Sequence, residues 1–333
     1  MIQDVRFEQL KQWVRSLPGW ENTQFEVASA DASFRRYFRA LNNHKTAIVM
    51  DAPPELEDSS TFIDITRRLL DAEAHAPVII ADNLSAGFLL LQDFGSTPLL
   101  SELTPTNADQ HYRQAIQELL KLQIADTTHL PVYDVACLRE EMDLMPEWFL
   151  VTHLNLGGDI PQALIEQTFS ELSHAVHAQP VVFVHRDYHS RNLMLTDGHI
   201  GVIDYQDAVL GPMTYDLVSL LRDCYVAWPE QQVTRWALSF HKEAIKAGNI
   251  PPVNEAEFMR WFDLTGLQRH IKVLGIFSRL NHRDGKSAYL NDLPLVLSYV
   301  LSVGSRHPET SQLVEWMRSA GIPERIGTVN TPA

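Results

Sequence analysis

The spacing of hydrophobic positions changes character once along this chain, and the change divides it in two. Leu10, Trp13, Val14 and Leu17 recur at helical spacing until Pro18-Gly19 breaks the run. Phe25 with Val27, then Phe34 with Tyr37 and Phe38, then Ala47-Ile48-Val49-Met50 are short β-prone runs. They are separated by Ser29-Ala30-Asp31-Ala32-Ser33 and Leu41-Asn42-Asn43-His44, and Pro53-Pro54 closes the third. A helix follows, with Ser59 or Ser60 as its cap and Phe62, Ile63, Ile65, Thr66, Leu69 and Leu70 along its inner face. Val78-Ile79-Ile80-Ala81 and Gly87-Phe88-Leu89-Leu90-Leu91 supply two further strands about a turn at Asp82-Asn83. The first ~90 residues therefore predict a five-stranded sheet with one helix inserted.

Beyond Gln92-Asp93-Phe94-Gly95 the spacing is helical. Thr104-Pro105 opens a helix whose apolar face is Tyr112, Ala115, Ile116, Leu119 and Leu120. Further helical patterns cover 138–153, 161–178, 215–226, 233–247 and 255–280, with shorter ones near 293–303 and 310–320. One β-rich stretch, 181–205, interrupts them and reads as a single hairpin. No internal repeat or low-complexity linker is present. The predicted class is α+β with two lobes: a small β-rich lobe over 1–92, a hinge at 93–97 and a large helical lobe over 98–333.

Charge narrows the partners. With 27 basic and 42 acidic residues the net charge is −15, which argues against nucleic acid, whose binding needs a basic face. A single nucleotide stays permitted, because a metal ion and a few local cations suffice for one triphosphate. Cys137 and Cys224 have neither paired nor metal-ligand spacing and read as two free, buried thiols in a reducing compartment. The N-terminus lacks the apolar core of a signal peptide, and runs such as Val181-Val182-Phe183-Val184 are far too short to span a membrane. A soluble cytoplasmic protein without membrane partners is expected.

The chemistry concentrates between Val181 and Asp216. Two apolar runs each end on an aspartate, Asp187 in His185-Arg186-Asp187 and Asp204 after Gly201-Val202-Ile203, and Asn192 lies five positions after the first. This is the H-R-D-x-x-x-x-N loop of kinases. Phosphoryl transfer from ATP needs positioning and charge neutralisation more than covalent chemistry. One carboxylate accepts the proton of the acceptor hydroxyl, here Asp187. An asparagine and a second carboxylate, here Asn192 and Asp204, hold Mg²⁺ against the phosphates.

These motifs, with Ile203-Asp204-Tyr-Gln-Asp and Gly211-Pro-Met-Thr-Tyr-Asp216-Leu217, resemble the aminoglycoside phosphotransferase superfamily, whose pattern is His-Gly-Asp-x-x-x-x-Asn, Ile-Asp and Gly-x-x-x-x-Asp-Leu. The resemblance implies a protein-kinase-like two-lobed fold, with ATP and Mg²⁺ as cofactors, Asp187 as base, Asn192 and Asp204 on the metal, and His185 and Asp216 supporting the loop. Arg186 stands where glycine is usual, and either a structural pairing or a ligand contact accounts for it. Phe88-Leu89-Leu90-Leu91-Gln92-Asp93-Phe94-Gly95 resembles the superfamily's Leu-Leu-x-Asp-x-Gly hinge, so backbone groups of Gln92, Asp93 and Phe94 are expected on the adenine edge.

The sheet lobe departs from the kinase pattern twice. The loop Ser29–Arg39, where kinases cover the phosphates, contains no glycine. Its backbone, Ser29, Ser33 and Arg35 are the candidate phosphate donors. Met50 occupies the place of the strand lysine, so either a loop arginine substitutes or the phosphates depend more on metal. Asp64 and Glu73 are the candidates for a helix acid.

A narrower resemblance concerns the acceptor. Asp31–Arg39, Met50-Asp-Ala-Pro-Pro54, Val184-His-Arg-Asp-Tyr188, Tyr205-Gln-Asp-Ala-Val209, Gln268–Phe277 and His282-Arg-Asp-Gly-Lys286 are similar to blocks of bacterial N-acetylmuramate/N-acetylglucosamine 1-kinases. That likeness implies phosphorylation of an amino sugar at its anomeric hydroxyl, with a nucleotidyltransferase next in the pathway. Arg269, His270 and Lys272 are candidate sugar contacts, Arg269 or Lys272 meeting a lactyl carboxylate. A satisfied core histidine and a solvated lysine face are the plainer readings of His270 and Lys272. An aminoglycoside kinase and a nucleotide-binding regulator without turnover are the competing functions.

Overall fold

A computed structural model describes residues 4–30, 35–43, 45–158 and 160–326. Strands β1 (Gln24–Ala30), β2 (Arg36–Asn42), β3 (Lys45–Asp51), β4 (Ile79–Asn83) and β5 (Phe88–Gln92) form one sheet in the order β1-β2-β3-β5-β4, every neighbour antiparallel. Alternation along the strands gives each face its own partner. Ala47, Val49, Phe88 and Leu90 pack with Leu10 and Val14 of helix α1 (Val5–Ser16). Met50, Leu89 and Leu91 face the opposite way, into a core shared with helix α2 (Ser59–Asp71) and the helical half. Asp58 caps α2, accepting from the Ser60 N–H at 2.8 Å, so the cap lies one residue before the serines that the sequence suggests. Fully buried Asp51 pairs with Arg6 of α1 and with Arg36 of β2, tying α1 to the sheet.

The helical half comprises α3 (Leu99–Glu102), α4 (Ala108–Leu122), α5 (Val135–Met142), α6 (Gln162–His177), α7 (Tyr215–Leu221) and α8 (Glu230–Ala247). It continues through α9 (Glu255–Asp284), α10 (Leu293–Gly304), α11 (Pro308–Ser319) and α12 (Ile322–Ile326). The axis is α9, buried through most of the span from Phe258 to Ser278, capped by Asn254 and stopped by Gly285 at φ 68°. Among the described residues no helix is long and apolar enough to cross a membrane.

Four sequence expectations are corrected. The helix expected over 138–153 is two, α5 and a π-helix at Met145–His153, because Pro146 lacks the N–H to continue the first. The helix expected over 215–226 stops at Leu221, where Arg222 leaves the helical region at φ −119° and ψ 55°. The single hairpin is two ladders. Strands β7 (Leu193–Thr196) and β8 (His199–Val202) form the hairpin, while β6 (Val181–Val184) pairs with β9 (Val209–Pro212). His185–Asn192 therefore joins β6 to β7, and Asp204 lies between β8 and β9. Finally, Cys224 is buried but Cys137 is exposed.

Gly275 lets α9 approach the π-helix. A Cβ there would lie 2.4 Å from the Leu144 carbonyl carbon, a backbone atom that cannot swing aside. Gly275→Ala should lower the unfolding free energy by about 2 kcal/mol in urea titrations, instead of the gain of up to about 1 kcal/mol expected at an open helix position.

Candidate active site

The loop after β6 is held by a carboxylate beneath it. Asp216, fully buried in the first turn of α7, accepts from the His185 N–H at 2.7 Å and from the Arg186 N–H at 3.0 Å, one bond on each oxygen. Between these bonds Arg186 takes φ 76°, the left-handed region that glycine adopts freely. The His185 ring continues the brace. Its Nδ1 accepts from the Asp187 N–H at 3.2 Å, which leaves Nε2–H to donate to the Ile203 carbonyl at 3.0 Å. One imidazole therefore links the residue before Asp204 to the backbone of Asp187.

Asn192 closes the arrangement. Its Nδ2 donates to the Asp187 carbonyl and to Asp204 Oδ2, both at 3.1 Å, and its main-chain carbonyl accepts from Ile203 N–H at 3.1 Å. Asp204 sits at φ 65°, and its other oxygen takes a bond from Gln206 Nε2 at 2.8 Å. Gln206 belongs to the Ile203-Asp204-Tyr-Gln-Asp motif, and this bond gives it a role that the motif alone does not. A carboxylate and an amide converging on one point are hard oxygen donors suited to Mg²⁺, which binds through one or two protein groups plus phosphates. No cluster of three or more His, Cys, Asp or Glu side chains suited to a metal stands among the described residues.

Asp187 exposes its carboxylate, which accepts no hydrogen bond from a described residue. Burial of its surroundings pushes its pKa up, but His189, Lys272, Arg269 and His185 outweigh that and hold it below the ordinary aspartate value. Lys272 and Arg269 come from α9, which with α5 builds the floor under the loop, while His185 and His189 belong to the loop itself. Glu141 Oε1 accepts from Arg186 at 2.6 Å and from Lys272 Nζ at 2.9 Å, and Tyr133 donates to the same carboxylate. Arg186 is thus engaged in a structural pairing, across to α5. Lys272 also donates to the Tyr215 hydroxyl at 3.1 Å. Arg269 meets only neutral partners, Ser219 Oγ at 2.7 Å and the Cys224 sulfur at 3.5 Å; Asp187 and Asp223 balance its charge through space. Of the three candidate sugar contacts, Lys272 and Arg269 therefore lie under Asp187. His270 turns away: its Nε2–H donates to the Arg222 carbonyl at 2.9 Å and its ring stacks on Tyr299.

A cleft of about 380 Å³ opens between sheet and helices, lined by Ile48, Leu91, Phe94, Met194 and Ile203 on its apolar sides and by Arg191, Asn192 and Asp204 at one end. At the end of β5 the Gln92 N–H is engaged by the Val78 carbonyl at 2.8 Å, whereas no described residue accepts from the N–H of Asp93 or Phe94. The Asp93 carboxylate is held by Arg39 at 2.7 Å and by the Gly95 N–H at 2.8 Å. Arg35 pairs with Glu57 at 2.8 Å. Ser29 falls within β1, though its side chain, like the whole of Ser33, lies outside the described residues. Asp64 pairs with Arg68 of its own helix, and Glu73 stands beyond the end of α2 at φ 58°. Glu141 and Asp223 escaped the sequence argument because their partners are 131 and 33 residues away.

A profile of the phosphotransferase enzyme family matches residues 24–250. A protein of Pseudomonas aeruginosa named N-acetylmuramate/N-acetylglucosamine kinase is 42% identical, covering 96% of this chain and 98% of its own. One of the same name from Neisseria meningitidis is 39% identical, covering 91% and 92%. Among solved structures, an ethanolamine kinase from Plasmodium vivax superposes with a TM-score of 0.65 at 11% identity, covering 92% of this chain and 89% of that one. A choline/ethanolamine kinase family protein from Mesorhizobium loti gives 0.62 at 13%, covering 94% and 99%. At such identities these two structures speak for the fold alone, which is protein-kinase-like.

Two tests follow from the geometry. A Cβ on Gly201 would lie 2.5 Å from the Phe94 ring beneath the cleft. Gly201→Ala should therefore raise KM for ATP several-fold with a smaller change in kcat, read from initial rates. The second concerns His270, whose burial, opposed only by its bond to Arg222, pushes its pKa down to about 3. A histidine kept neutral in the folded state takes up its proton first in the unfolded chain. Stability is full above the ordinary histidine pKa and falls as pH drops below it, by up to about 1.4 kcal/mol per pH unit. His270→Phe should flatten the decline of the urea midpoint between pH 7 and 5.

Proposed function

The chain belongs to the phosphotransferase enzyme family and is an ATP-dependent kinase, and from that premise we propose that it phosphorylates the anomeric hydroxyl of N-acetylmuramate and N-acetylglucosamine. The observation that carries the chemistry is the meeting of Asn192 with both the Asp187 carbonyl and the Asp204 carboxylate at 3.1 Å, at one end of the cleft. The acceptor rests on 42% and 39% identity to relatives named for these sugars.

In this reading Asp187 is the general base. The acceptor oxygen bonds to the γ-phosphorus as the bond from that phosphorus to the β-bridging oxygen breaks, and the acceptor proton passes to the Asp187 carboxylate. Asn192 and Asp204 hold Mg²⁺, which when bound neutralises phosphate charge. Asp216 and His185 keep the loop in register. Lys272 and Arg269 keep Asp187 ionised and lend positive charge to the acceptor side, suiting the lactyl carboxylate of N-acetylmuramate; His270 is left to the core. The hinge N–H groups of Asp93 and Phe94 serve the adenine edge, and Arg35 with Ser29 and Ser33 stays on the phosphate side. Residues 1–92 act as the nucleotide lobe, 93–97 as hinge and 98–333 as the catalytic and acceptor lobe. ATP as donor suits a cytoplasmic enzyme, and a sugar 1-phosphate is what a nucleotidyltransferase consumes.

With Mg-ATP, ADP release is expected with the two amino sugars and not with choline or an aminoglycoside. Release with an aminoglycoside alone would overturn the acceptor, and release with nothing would favour a regulator. Asp187→Asn should lower kcat by about 10³-fold while Mg-ATP affinity changes less than twofold.

A further inference from the structure

The loop carries one more cation, Arg191, that the functional reading has not used. It is exposed, directly precedes Asn192 and lines the same end of the cleft as Asn192 and Asp204. Among the described residues it makes no ion pair and donates no hydrogen bond; Asp292 interacts with it only through space. The arginines of the β1–β2 region are differently placed: Arg35 pairs with Glu57, Arg36 with Asp4 and Asp51, and Arg39 with Asp93. Met50, in the position where a strand lysine would stand, is wholly buried on the core face of the sheet.

Arg191 rests on a built platform. Its guanidinium carbon lies 3.5 Å from the centre of the Tyr225 ring. That ring meets His189 edge-on at 5.3 Å and stacks with Phe277 at 6.2 Å. Beneath both, Asp223 is 1% exposed and uses its two oxygens differently. One accepts from Ser190 N–H at 2.9 Å and Ser190 Oγ at 2.5 Å, the other from Tyr225 N–H at 3.1 Å. A single buried carboxylate therefore fixes the residue before Arg191 and the backbone of the ring it lies over. A guanidinium held over an aromatic face is pre-organised, and its N–H donors remain at its rim for an oxyanion.

We propose that Arg191 binds the γ-phosphoryl group of ATP during its transfer and supplies the positive charge that the third strand lacks, with Tyr225 and Asp223 as positioning residues. The inference rests on the kinase reading of the cleft. Arg191 exchanges no proton: the phosphorus–oxygen bond to the β-phosphate breaks, the bond to the acceptor oxygen forms, and the acceptor proton goes to Asp187. The guanidinium neutralises charge gathering on the equatorial oxygens, an interaction of the kind whose removal costs about 10²- to 10³-fold in kcat.

The test compares wild type with Arg191→Gln, Arg191→Lys and Tyr225→Leu. Binding of Mg-ADP and of a non-hydrolysable Mg-ATP analogue is measured without acceptor, and kcat and KM with each amino sugar. Arg191→Gln should weaken the analogue about tenfold and ADP less than twofold, and lower kcat about 10²-fold equally for both sugars. Arg191→Lys should regain part of that loss, and Tyr225→Leu should lower kcat about tenfold without touching ADP affinity. Equal weakening of ADP and analogue, or an unchanged kcat, would overturn the proposal. So would a loss confined to KM for N-acetylmuramate, which would make Arg191 a carboxylate reader. A wrong acceptor would show as no wild-type turnover on either sugar, and the ADP-against-analogue comparison would still decide the role of Arg191.

Discussion

Everything at this site hangs from one buried carboxylate. Asp216 is closed to solvent, and each of its oxygens holds one backbone N–H of the strand-to-loop turn, His185 and Arg186. Burial pushes its pKa up to about 6, against the pull of His185 and those two bonds. Ionising it costs about 3 kcal/mol, a cost present in full above pH 6 and relieved as pH falls toward the ordinary aspartate value. The return is geometric. Arg186 is kept at φ 76°, a conformation that costs a non-glycine residue about 1–2 kcal/mol, and Asp187 follows it with an exposed, unengaged carboxylate.

A second carboxylate repeats the device seven residues further along. Asp223 grips Ser190 and Tyr225 as Asp216 grips His185 and Arg186, so the loop is fastened at both ends from residues on or just beyond one short helix. Between these anchors the floor is cationic in a chain of net charge −15. Glu141 is shared by Arg186 and Lys272, and Arg269 is buried without a carboxylate in contact. Cations are thus gathered beneath the loop of an acidic protein, and bulk charge says little about the site.

Much of this was legible in the linear chain. Asp187, Asn192 and Asp204 lie within 18 residues at a strict spacing, so their meeting at one place is expected before any folding is known. The five strands follow from alternation and turn residues. The supports were less legible, because long-range packing selects them. Glu141 is one of two acidic residues on α5 and acquires meaning only when Lys272 arrives 131 positions later. Met50 was readable as a missing lysine, but the reason is its face of β3, which turns to the core. The π-helix at Met145–His153 reads as ordinary helix since its apolar spacing alone does not distinguish the two, and nothing in the sequence places Tyr225 beneath Arg191.

On the proposed mechanism, Asp187 directs the γ-phosphoryl of ATP to the anomeric oxygen of an amino sugar. Proton–phosphorus correlation NMR of the product from Mg-ATP and N-acetylglucosamine tests it most directly. A phosphorus resonance coupled to the anomeric proton H1 is the predicted result. Coupling to the C6 protons, or no phosphorylated sugar at all, would contradict the account.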